Sequence, residues 1–542
     1  MKLNKKIKDF KTSKLFPLLL LVITFLPLIL LTSYDGGGLE YETNESEKNN
    51  RVISNGNSWV ENGNVISSLS DDQKDPQLIS DGVGGAIITW EDQRGGGGYH
   101  IYAQRINSDG GVQWTTNGIA ITSITNGYNP VITSDGSGGA IIAWQGGAGI
   151  DVLAQRINSA GVVQWTADGV VICNADNQQQ SVEIISDGLG GAIITWEDLR
   201  GGSTFDIYTQ RVNSTGDVKW TANGTAICTA ANHQTNPYLV SDGAGGAIIT
   251  WIDERVTPGS WDAYAQRINS TGDVKWTADG VAICTIGGSY PKLVSDGAGG
   301  AIIAWYDGRE LLEFDIYAQR INSVGNTLWT DNGTLISNYT NWQYRPEIVS
   351  DGSGGAIILW KDQRSDTGDI YAQKINSAGT TQWTDNGTAI CTATGAQDWI
   401  DIASDGAGGA IATWQDERNG NWDVYAQRIS STGAVNWTTK DGTICNATGD
   451  QLYPELVGNG SGGAIIVWDD PRSGDLDIYA QRAPILLGPI GGNGGNGDGD
   501  DEPAIPAIPA IPGYNLMVIG IISAISFLSV GILLYRNKKL RV

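Results

Sequence analysis

The chain has 542 residues, with 34 Lys plus Arg against 59 Asp plus Glu, a formal net charge of −25. Only 17% of residues are charged and 74 are glycine, which excludes a charge-rich disordered chain and a coiled coil. The basic residues crowd into the tails, so residues 15–535 carry 24 basic and 58 acidic groups. Such a body repels phosphate backbones and anionic lipid, which excludes nucleic acid as a partner.

The N-terminal 33 residues have the layout of a secretory signal or signal anchor. Lys2, Lys5, Lys6, Lys8, Lys11 and Lys14 precede an apolar run over residues 15–31 that Pro17 and Pro27 interrupt. Residues 34–52 read as a linker. At the other end, 484–514 form a stalk. Its Gly/Asn part is flexible, and three Ala-Ile-Pro units favour extended polyproline II. Residues 515–535 lack any charge and are long enough to span the hydrocarbon of a bilayer as a transmembrane helix, with the basic 536–542 expected on the cytoplasmic side. Pro512-Gly513-Tyr514, an apolar helix and a basic end resemble the C-terminal sorting tails of archaeal surface proteins, with Tyr514 where those tails carry Phe. This places the body at the cell surface, outside a membrane that is itself the expected partner.

Residues 53–483 are one unit repeated eight times. Ser-Asp-Gly-x-Gly-Gly-Ala-Ile-Ile-x-Trp recurs with its Asp at Asp81, Asp135, Asp187, Asp242, Asp296, Asp351 and Asp405, and with Asn459 in the last copy. A period of this size signals a propeller, solenoid or array. Pro-x-Leu-Val-Ser reads as a first strand, and Asp-Gly-x-Gly-Gly as a tight hairpin. Ala-Ile-Ile-x-Trp reads as a strand buried on both faces, because its apolar residues do not alternate with polar ones. Asp-Ile-Tyr-Ala-Gln-Arg is the third strand, and a turn leads to a fourth that follows a second Trp. The second Trp stands at Trp114, Trp165, Trp220, Trp276, Trp329, Trp383 and Trp437, but the last unit ends at Arg482 without one. Trp59-Val-Glu-Asn-Gly at the N-terminus supplies the missing piece. An N-terminal strand that completes the last blade closes a ring, whereas an open solenoid has no reason to divide a unit between its ends. The expected fold is therefore all-β, an eight-bladed propeller of four-stranded antiparallel blades. The quoted motifs, with Asp-x-Arg and Asp-Ile-Tyr, resemble the TolB-type, WD40-like propeller repeat. That resemblance implies a fold far more than a function.

Chemistry-bearing residues are few. The two histidines, His100 and His233, read as structural or surface groups. Cys173, Cys228, Cys284, Cys391 and Cys445 share one repeat position with Thr122, Ser337 and Ser67, so a small buried side chain is wanted there and disulfides are not expected. The recurring Asp-x-Arg reads as a structural ion pair. The Asp-Gly loops lack the oxygen density of a calcium site, and no metal or cofactor is expected. Sixteen Trp read as blade core, and Trp261 and Trp422 as framework. One position, just before the Pro of the first strand, differs between repeats: Asp75, Asn129, Ser181, Asn236, Tyr290, Arg345, Trp399 and Tyr453. If that strand is innermost, these side chains ring one mouth of the channel. Tyr290, Arg345, Trp399 and Tyr453 are then the strongest candidates for contact with a ligand. Asn213, Asn223, Asn269, Asn332, Asn338, Asn386, Asn436, Asn446 and Asn459 lie in sequons. The favoured reading is a non-enzymatic surface module that binds a glycan or surface protein, with no catalytic residues. The alternatives are a structural envelope component and an extracellular propeller hydrolase or lyase.

Overall fold

The computed structural model describes residues 58–484 except 148, 257, 260, 310–312, 366 and 438–441. The proposed signal, stalk and transmembrane segments lie outside the described residues. Among those described, no helix is long and apolar enough to cross a membrane.

Eight four-stranded antiparallel sheets follow one another around a ring. Blade one takes Gln73–Ser80, Ala86–Asp92, His100–Ile106 and Ile119–Ala120 in that spatial order. Blade eight takes Leu452–Gly458, Ala464–Asp470 and Asp477–Ala483, and its fourth strand is Asn64–Ser67 from the N-terminus. The composite blade reproduces the contacts of the others. Gln481 Nε2 donates to the Val60 carbonyl at 2.6 Å, as Gln210 Nε2 does to the Thr221 carbonyl at 2.7 Å within blade three. The joint between blades eight and one is also ordinary. Gln73 N–H donates to Leu476 O at 2.7 Å, matching Gln234 N–H to Phe205 O at 2.8 Å between blades three and four. Ring closure therefore leaves no open sheet edge at the seam.

Packing follows from the repeat. The Ala-Ile-Ile-x-Trp strand is buried along its whole length, and its Trp is 0–2% exposed in all eight blades. In blade three, Trp196 Nε1 donates to Asp198 Oδ2 at 2.7 Å, and Arg200 Nη2 meets the same oxygen at 2.6 Å. The Arg200 guanidinium lies 3.7 Å from the Tyr208 ring centroid and donates to Asn223 O at 2.6 Å. Asp-x-Arg is thus a structural pair that satisfies a buried indole and ties the second strand to the fourth. The Asp of Asp-Gly is committed too. Asp187 Oδ1 accepts the Leu189 and Gly191 N–H groups, and its Oδ2 accepts Arg211. Gly191 is required there, because a Cβ would stand 2.2 Å from Val212 O.

The second Trp belongs to or packs against the blade core, as expected, and adds a second role. It is half-buried or barely buried, and it works as a clasp: Trp165 Nε1 donates to Ser214 O of the next blade at 3.1 Å, and Trp59 donates to Ser108 O at 2.9 Å. The framework role expected of Trp261 is corrected. It is 43% exposed, and its Nε1 donates to Glu254 Oε1 at 3.2 Å. The five cysteines are free thiols, all buried but the half-buried Cys391. Burial pushes the Cys173 thiol up to about 11, so it is a poor nucleophile.

Candidate functional site

In each blade the strand with the variable position is innermost, and at that position the chain leaves the ladder. Register shifts there in all eight blades, for example between Lys74 and Gln77 and between Asp398 and Asp401. Asp75, Asn129, Ser181, Asn236, Tyr290, Arg345, Trp399 and Tyr453 all have φ between 49° and 54°. Left-handed backbone suits Asn and Asp, but is strained for Tyr, Arg and Trp. The Pro that follows in six blades fits a bulge, since it has no N–H to give a ladder.

The freed N–H groups find side-chain acceptors on both sides of the mouth, with Trp399 N–H donating to Asp398 Oδ1 at 2.8 Å and Tyr453 N–H to Gln415 Oε1 at 3.1 Å. Asn129 N–H donates to Glu91 Oε1 at 2.6 Å, Asn236 N–H to Glu197 Oε1 at 2.7 Å and Asp75 N–H to Asp469 Oδ2 at 3.2 Å. Each acceptor directly follows the core Trp of the preceding blade. Before Tyr290, Arg345 and Trp399 the same position holds Ile252, Tyr306 and Lys361. There the position is given to side-chain contacts. Tyr306 stacks on Tyr290 at 5.5 Å, and Lys361 meets Asp398 at 3.0 Å, as does Arg345. Trp399 and Tyr453 meet edge to face at 4.5 Å.

Two residues further in stands a second ring that sequence reasoning missed: Gln77, Val131, Glu183, Tyr238, Lys292, Glu347, Asp401 and Glu455. Its signal was available, because this position holds six different residue types across the eight repeats while its flanks stay nearly constant. The two rings line a cavity of ≈ 540 Å³ on the side of blades one to four and one of ≈ 730 Å³ on the side of blades four to eight. Of the eight candidates, the smaller cavity takes Asp75, Asn129, Ser181 and Asn236. The larger takes Tyr290, Arg345 and Trp399.

The inner ring concentrates charge. Lys292 Nζ lies 3.0 Å from Glu347 Oε1 and 3.9 Å from the Tyr238 ring centroid. Burial works against the Lys292 charge, but Glu347 and Tyr238 outweigh it and hold the pKa well above the usual lysine range. Asp401 accepts the Ile402 N–H at 2.7 Å and the Leu456 N–H at 2.9 Å, and it lines the larger cavity together with Glu455. Burial, with the charge of Glu347 adding to it, pushes Asp401 up to about 6. Burial and then the charges of Asp401 and Glu347 raise Glu455 well above the ordinary carboxylate range. Burial pushes Glu183 up to about 7. Asp401 and Glu455 therefore both resist ionisation more than exposed carboxyls do.

Other candidates lie elsewhere. His233 Nδ1 accepts the Phe205 N–H at 3.3 Å, a loop contact. Among the described residues no group of His, Cys, Asp and Glu could hold a metal ion. In the sequons, Asn223, Asn332 and Asn386 use Oδ1 to accept N–H groups of the preceding blade, while Asn213, Asn269 and Asn459 close turns. Asn338, Asn436 and Asn446 are exposed.

No protein-family model matches the chain, and no curated protein does. Among solved structures it is similar to an ulvan lyase of a new polysaccharide-lyase family, at 10% identity over 66% of this chain and 94% of that one, TM-score 0.42. It is similar to the endo-arabinase of Bacteroides thetaiotaomicron, at 13% identity over 47% and 94%, TM-score 0.28. A third is the Penicillium chrysogenum α-L-arabinanase complexed with arabinobiose, at 12% identity over 56% and 92%, TM-score 0.31. The expectation of a non-enzymatic binding module is corrected on this finding, since the similar structures are mainly carbohydrate-cleaving enzymes. At such identities and TM-scores the likeness assigns no residue and no substrate to this chain. The chemistry rests on the site itself.

Proposed function

We propose that the propeller cleaves a polysaccharide by hydrolysis at the inner ring of its channel mouth. The observation that carries this reading is the Lys292–Glu347 ion pair in the cavity that Asp401 and Glu455 also line. Glycoside hydrolysis needs one carboxylic acid to protonate the leaving oxygen and one carboxylate to act as base or nucleophile. Asp401 or Glu455, whose carboxyls burial holds above the ordinary range, supplies the acid. Glu347, fixed by Lys292, supplies the carboxylate. Environments that push neighbouring carboxyls apart are how one site holds both roles. The outer ring serves recognition: Tyr290, Trp399 and Tyr453 offer faces for sugar rings, and Arg345 offers donors to hydroxyl or carboxylate groups. Asp75, Asn129, Ser181 and Asn236 orient the chain from the other side. The apolar segments 15–31 and 515–535 support placing this activity outside the cell on a membrane tether, and protease shedding of the propeller from intact cells tests that placement.

Incubating the full-length protein with arabinan, galactan and ulvan, and separating the products, tests the reaction. Hydrolysis yields saturated reducing ends. An unsaturated sugar at the new end would replace hydrolysis by elimination, and no product from any polymer would refute the reading.

A further inference from the structure

The five large exposed aromatic side chains among the described residues are Trp261, Tyr290, Tyr339, Trp342 and Trp399, between 41% and 46% exposed. All five belong to blades four to seven. All lie at the mouth end as well, because the loops between second and third strands, and those from a fourth strand to the next first strand, return there. Part of the set forms a continuous path. Tyr290 stacks on Tyr306 at 5.5 Å, Tyr306 meets Phe314 at 5.2 Å, and Phe314 meets Trp342 at 5.5 Å. The path starts in the larger cavity, which Tyr290 and Tyr306 line, and ends on an exposed indole outside it.

We infer that Tyr290, Tyr306, Phe314 and Trp342 form an aromatic track that holds a polysaccharide chain beyond the catalytic cavity, so that the substrate is a polymer gripped over several units. This rests on the polysaccharide reading of the cavity. One feature favours a sugar chain over a protein partner as occupant: the path of aromatic rings is continuous with the cavity. Trp342 contributes a full indole face at the far end, where a short oligosaccharide seated in the cavity does not reach.

Affinity electrophoresis of the full-length protein through gels containing arabinan, galactan or ulvan tests the track without requiring turnover. At least one polymer should retard the protein. Trp342→Ala should weaken that retardation by about tenfold, whereas Trp342→Tyr, which keeps a ring, should weaken it far less. Turnover of a disaccharide or trisaccharide of the same sugar should be unchanged in Trp342→Ala. Equal retardation of wild type and Trp342→Ala would overturn the track, and so would no retardation in any gel. Retardation lost in Trp342→Ala, with no cleavage of any polymer, would keep the track and remove the catalytic reading. If Trp342→Ala melts lower than wild type, the Tyr variant decides: retention of binding supports the track, and loss at normal stability overturns it.

Discussion

The two sides of the channel mouth use one backbone feature for opposite purposes. In blades one to four the left-handed bulge carries Asp75, Asn129, Ser181 and Asn236, and in three of them an acid of the preceding blade caps its N–H. In blades five to eight the bulge carries Tyr290, Arg345, Trp399 and Tyr453 at the same φ, where such residues are strained. Before the first three of them the capping acid is gone. In the second half the Trp399 N–H is accepted by Asp398 Oδ1 at 2.8 Å and the Tyr453 N–H by Gln415 Oε1 at 3.1 Å, so the two halves differ in the size and exposure of the side chains that the strained backbone carries. The mouth is therefore a ring with large, partly exposed side chains on one side and small polar ones on the other, beneath which the inner carboxylates sit.

Truncation should separate the two sides most sharply. Trp399→Ala with Tyr453→Ala should weaken binding of the responsive polymer by about a hundredfold while barely moving the melting temperature. Asn129→Ala with Ser181→Ala should cost binding less than tenfold, and titration of each variant against the polymer compares them. Equal losses would abolish the distinction. The framework should respond in the opposite sense. Trp196→Ala, which empties a core site and removes one donor from Asp198, should lower stability by about 3–5 kcal/mol in denaturant unfolding.

The buried carboxyls set a pH dependence. Glu183 and Asp401 hold protons more tightly in the folded state, at about 7 and about 6. Their contribution is complete below the ordinary carboxylate range near pH 4 and is lost as pH rises through 6 to 7. The melting temperature should therefore fall by about 3 °C between pH 5 and pH 8. Glu183→Gln should flatten part of that fall, and a scanning-calorimetry series checks both. The smallest effect belongs to the side with small polar residues. Ser181→Asn, at φ 52°, should stabilise by about 0.5 kcal/mol because Asn tolerates left-handed backbone.

The fold was legible in the chain because its determinants repeat. Eight copies of Ala-Ile-Ile-x-Trp and one displaced Trp59 state blade count and closure with no tertiary information. The outer ring was legible too, since Asp75 through Tyr453 vary within a constant frame. The inner ring has the same signature at Gln77 through Glu455, but a lone Glu or Lys in a strand looks like ordinary solvent-facing variation. Only closure of the ring brings Lys292 to Glu347 and Asp401 to Glu455, since these partners lie about one repeat apart in sequence. The clasp role of the second Trp was hidden for the same reason, because its acceptor, such as Ser214 O for Trp165, belongs to the next blade.

The central claim is that the Asp401–Glu455 pair performs acid catalysis in the channel. The direct measurement is the pH–rate profile for release of reducing ends by the wild type and by Glu455→Gln. The wild type should lose activity as pH rises above the titration of the pair, and Glu455→Gln should be slower by about 10²–10⁴ at every pH while melting at or above the wild-type temperature. A Glu455→Gln variant with wild-type rate and profile would contradict the account.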